Sequence, residues 1–129
     1  MKTKIVKLNN GILLIARDGY EVPTLDYNKF PTCCGARNGW QEKLVPDKPI
    51  GISFSPACHI HDDCFENGLP TWSDFHQSNG MLFRNLFAII KAKGTIYNIV
   101  AARLLAINYF LAVDTLGAIY YEKIHGNLT

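Results

Sequence analysis

Residues 18 to 57 hold Pro23, Pro31, Pro46, Pro49 and Pro56 together with Gly35, Gly39 and Gly51, and neither a helical nor a strand period runs through them. Proline has no amide hydrogen to give to a helix or a sheet interior, and its ring fixes φ. A stretch punctuated this densely is not a regular element, so the regular structure must lie on either side of it. Connections of such length inside one compact domain are usually functional or ordered by a metal.

Before that stretch, residues 4–8 and 12–16 are two short apolar runs around Asn9-Asn10-Gly11, the signal of a β-hairpin. The apolar part is too short, and too broken by Asn9, Asn10 and Arg17, for the core of a secretory signal. The expectation is a chain without a signal peptide, cytoplasmic as made. After the stretch, Ser55 as a cap and Pro56 at the first helical position predict a helix over 56–67 that stops at Gly68. Thr71 or Ser73 caps a second helix over 73–92, and Thr95 a third over 95–121. The third is apolar around most of its circumference, which predicts burial in the core or packing on a partner copy as a homo-oligomer. Arg103 and Asp114 interrupt it as a membrane span.

The 129 residues, 48% of them hydrophobic, fit one globular domain. Its parts are a hairpin and lead-in over 1–32, a loop over 33–55 and a helical core over 56–129. A net charge of +2, from 13 basic and 11 acidic residues, gives no nucleic-acid footprint.

The chemistry concentrates on the first predicted helix, in Cys58-His59-Ile60-His61-Asp62-Asp63-Cys64-Phe65. At about 100° per residue, Cys58, His61, Asp62 and Phe65 share one side while His59 and Asp63 point outward. An imidazole there can take a proton from water as the water attacks an ester. An adjacent carboxylate can hold a hard cation, with backbone carbonyls from a glycine-rich loop such as Cys34-Gly35-Ala36-Arg37-Asn38-Gly39-Trp40. The four cysteines admit three disulfide connectivities, a metal site or free thiols. Cys58 and Cys64 sit on different turns of one helix and do not easily bridge each other, so disulfides would tie them to Cys33 and Cys34.

Cys58-x-x-His61-Asp62-x-Cys64, entered from a Cys34-Gly35 loop, resembles the active-site helix and calcium loop of the phospholipase A2 superfamily. The run through Leu44-Val45-Pro46-Asp47 and Ser53-Phe54-Ser55-Pro56 is most similar to its short bacterial and prophage-encoded branch. The resemblance implies a mainly α fold: two antiparallel helices plus a third long one, with the N-terminal hairpin and a calcium-binding loop added. It implies calcium-dependent hydrolysis of the sn-2 ester of glycerophospholipids at a membrane surface, by a protein that is released or phage-associated. Carried over by position, His61 is the general base and Asp62 the calcium carboxylate. Gly35, Gly39 and Trp40 supply carbonyls, Asp47 is an alternative carboxylate ligand, and Cys34 pairs with Cys58. Where the family has an aspartate accepting from the far nitrogen of the histidine, this chain has Asn79, on a stripe with Leu82, Phe83, Leu86 and Ile90. Asp114, on a stripe with Ile107, Phe110, Leu111 and Ala118 that is expected to face inward, is the candidate to restore the charge. Two other classes compete: a catalytically silent binding or virion-associated protein, and a structural zinc module built from the cysteines and histidines.

Overall fold

The computed structural model describes residues 1–23 and 51–129. Among them the chain is mainly helical, with a two-stranded antiparallel hairpin followed by three helices. Strand β1 spans Thr3–Lys7 and β2 Leu13–Arg17, with Ile5 opposite Ile15 in the register. Gly11 turns the chain at φ +90°, a value that L side chains rarely adopt. The alternation of the pleat buries Val6, Leu14 and Ala16 and leaves Ile5 and Leu13 outside.

Helix α1 spans Ser55–Asn67, α2 Trp72–Lys93 and α3 Ile99–His125. Helix α1 begins one residue before its expected start, because Ser55 is already helical and the Ser53 hydroxyl accepts its N–H at 3.4 Å. Thr71 caps α2 as expected, its hydroxyl accepting from the Asp74 N–H at 3.1 Å. Helix α3 starts four residues beyond Thr95, after a turn in which Ile99 N–H reaches the Thr95 carbonyl. Helix α2 lies between α1 and α3, and β2 packs on α1 and α2. One apolar core joins Val6, Leu14, Phe54, Ile60, Leu82, Leu86 and Ile89, so hairpin and helices bury a common surface. A second cluster, Phe65, Phe75 and Tyr121, ties the far end of α3 to the other two helices.

The outward face expected on α1 is covered by the hairpin. Arg17 grips Asp63 through two hydrogen bonds of 2.9 and 3.2 Å, and the Tyr20 hydroxyl lies 2.7 Å from His59 Nδ1. The inward stripe expected on α3 is also corrected. Ile107 and Leu111 are 39% and 52% exposed, whereas Ala102, Ala106, Tyr109, Gly117 and Tyr121 are buried. A helix apolar on every side gives its periodicity no phase. Three of those five buried residues, Ala102, Ala106 and Gly117, are small, so α3 approaches its neighbours closely on that side and turns larger aliphatic residues outward.

Candidate functional site

Pro56 fixes the first turn of α1, and Phe54 and Ile60 anchor the helix in the core, so the turn carrying His61 is rigidly placed. His61 is buried, its ring 4.2 Å from that of Phe65, and Asp62 beside it is half-buried. Antiparallel packing brings the first third of α2 alongside, where Asn79 is fully buried. His61 Nε2 donates to Asn79 Oδ1 at 2.8 Å.

Asp114 does not reach His61. Its carboxylate oxygen instead accepts from Asn79 Nδ2 at 3.1 Å and pairs with His76 Nδ1 at 2.9 Å. A carboxylate offers only acceptors, so it compels the Asn79 amide to turn its nitrogen toward α3 and its oxygen toward α1. That oxygen needs a donor, which fixes the proton of His61 on Nε2 and leaves Nδ1 with a lone pair. Asp114 thereby sets the tautomer of a histidine it never touches. His76 closes the chain at the surface and stacks on Trp72, 5.9 Å between ring centroids. The sequence signal for His76 was its place one turn before Asn79 on the same face.

Burial lowers the pKa of His61 to about 4, against a smaller opposing effect of the Asn79 hydrogen bond. His61 is therefore neutral at physiological pH, able to accept a proton on Nδ1 and poorly stabilised once it has done so. Asp74 lies elsewhere, accepting from the Leu69 N–H at the start of α2.

Gly35, Gly39, Trp40 and Asp47, the remaining candidate calcium ligands, and Cys33 and Cys34 lie outside the described residues. Among the described residues no three His, Cys, Asp or Glu side chains converge on a point that would hold a metal. A site of one carboxylate and several backbone carbonyls, which suits a hard cation, has Asp62 as its described member. Of the other candidate cysteines, Cys58 is disulfide-bonded and Cys64 is a free, buried thiol. A cysteine in a disulfide has no thiolate to offer zinc, and burial, helped by the Asp63 charge, pushes the Cys64 thiol up to about 11.

No protein-family model matches the sequence, and neither a curated protein nor a solved structure matches the chain.

Proposed function

We propose that the chain hydrolyses the sn-2 ester of glycerophospholipids with the aid of calcium, in the manner of a phospholipase A2. The observation that carries this reading is the hydrogen bond from His61 Nε2 to an Asn79 whose orientation Asp114 dictates. It leaves Nδ1 as the one basic nitrogen of a rigidly held imidazole, on the same helical turn as Asp62.

A water beside Nδ1 gives up its proton to His61 as its oxygen attacks the ester carbonyl. When the tetrahedral adduct collapses, the same proton passes to the departing lysophospholipid oxygen, and the fatty acid is released. Asp62, with loop carbonyls, would hold a calcium ion, whose charge would polarise the ester carbonyl when bound. Asn79 keeps the ring in place through both proton transfers. Asp114 and His76 keep Asn79 in place.

A second reading, a lipid- or virion-associated protein without turnover, is favoured by the low basicity of His61 and by the amide at position 79. Fatty-acid release from mixed phospholipid vesicles, with calcium and with chelator, separates the two. Hydrolysis requires calcium-dependent release that falls roughly 10²- to 10⁴-fold in His61→Gln and loses its calcium response in Asp62→Asn. Asp114→Asn lowers it roughly 10- to 100-fold, as loss of an orienting group does. Absence of release from the wild type on every lipid tried, with calcium present, establishes the silent reading.

A further inference from the structure

We propose that the end of the α2–α3 hairpin, from Lys91 to Leu111, is a docking surface for anionic phospholipid bilayers. The connector between the helices presents Ile96 and Tyr97 at 87% and 96% exposure, higher than any other large hydrophobic side chain among the described residues. From there Val100, Leu104, Ile107 and Leu111, spaced four, three and four apart, continue an exposed apolar stripe along α3. The opposite face of the same turns holds the buried Ala102, Ala106 and Tyr109. Contiguous apolar surface of this kind on a soluble fold marks a place where something binds.

Charge identifies the occupant. Between residues 75 and 113 there is no Asp or Glu, while Arg84, Lys91, Lys93 and Arg103 all lie in this interval and all are exposed. An apolar face whose charged residues, from Lys91 to Leu111, are all cations suits a helix lying in the headgroup plane, with Asp114 just beyond it taken up by Asn79 and His76. Aliphatic side chains would reach the acyl boundary, and ammonium and guanidinium groups the phosphates. Tyr97 has the apolar ring and polar tip that favour that boundary. A second copy is the poorer occupant. A two-fold contact through this patch would bring Lys91, Lys93 and Arg103 against an identical three, and like charges facing each other are costly. The helix is also unsuited to cross the bilayer here. It is 27 residues long and has an apolar window of mean hydropathy 1.6, but its inner face is committed to the core and Asp114 to Asn79 and His76.

The inference stands apart from the chemistry of His61, and so does its test. The whole chain is spun down with vesicles of phosphatidylcholine alone or mixed with phosphatidylglycerol, in chelator so that no hydrolysis can proceed. Anionic vesicles are expected to retain roughly ten times more protein than neutral ones, less so at high salt. The double variant Ile96→Ser, Tyr97→Ser is expected to lose roughly tenfold in retention, and Lys91→Glu, Lys93→Glu to lose the preference for anionic lipid. All four positions are exposed, and circular dichroism checks that the variants fold. His61→Gln should bind as the wild type does, so a catalytic failure leaves this result untouched. Equal retention of the wild type and the serine variant overturns the proposal. So does a dimer by sedimentation that Leu104→Lys dissociates, because it places a second copy on the stripe.

Discussion

Asn79 joins two groups that never meet: His61, which donates to its amide oxygen, and Asp114, which accepts from its amide nitrogen. Restoring the aspartate that the phospholipase resemblance leads one to expect would therefore not be an improvement by itself. Asn79→Asp would set two carboxylates about a hydrogen bond apart at a buried point, and like charges that close cannot both ionise cheaply. The expected outcome is a loss of roughly 1–3 kcal/mol in thermal or urea denaturation. Exchanging the two groups, Asn79→Asp with Asp114→Asn, should recover that stability and move the charge next to His61, raising fatty-acid release above that of the wild type. His61 also makes the fold sensitive to acid. Its folded pKa of about 4 lies below the unfolded 6.5, so the unfolded chain binds the proton first. Stability is then fully present above about pH 6.5 and is lost as pH falls toward 4, by up to about 3 kcal/mol. His59, also lowered by burial, acts in the same direction. Denaturation of the calcium-free protein across this range, compared with His61→Gln, isolates the contribution, which the variant should largely lack.

The elements were legible in the sequence where their ends carried chemistry of their own. Asn9-Asn10-Gly11, Pro56 and Thr71 each satisfy or remove a particular backbone group, and the hairpin, α1 and α2 fall within a residue or so of their expected limits. What the sequence withheld was how elements pair. No local pattern singles out Asn85, yet it is buried, and its amide completes the hydrogen bonds of Ile15 in β2. It accepts from the Ile15 N–H at 2.8 Å and donates to the Ile15 carbonyl at 2.7 Å. Such a use depends on which strand happens to lie opposite, and no local pattern encodes that. Asn85→Leu should leave the partly buried Ile15 N–H and carbonyl without their partner, at about 1 kcal/mol each. Urea denaturation measures the loss, and hydrogen exchange should show the hairpin amides losing protection while the centres of α1 and α2 keep theirs. The rotation of α3 was illegible for a different reason, since a helix apolar on all sides carries no preference until small residues let one side approach the core.

At the scale of the whole molecule, the candidate site draws on all three helices: His61 and Asp62 from α1, Asn79 and His76 from α2, Asp114 from α3. The motif on α1 announced its own residues, and the stripe on α2 announced Asn79. That Asp114 acts through Asn79, and not on His61, became visible only once three helices were packed. The cross-link at Cys58 holds the start of α1. Opening it with a reductant should lower stability by about 2–4 kcal/mol. Cys64, by contrast, should resist alkylation in the native protein and react once denaturant exposes it, which thiol counting under the two conditions checks.

The long reach of the Ile15–Asn85 pair, 70 residues apart in sequence, also imposes an order of events on biosynthesis. A lone two-stranded hairpin is marginal in water, and the one here has its permanent partners on α1 and α2. It leaves the ribosome before α1 and α2 and must wait for the chain to grow through α2 at roughly 5–20 residues per second. For those several seconds Val6, Leu14 and Ala16, the residues that later seal the core, have nothing to lie against. The hairpin is thus made before either helix it packs on, and nascent-chain chaperones have their window while its apolar face is still uncovered.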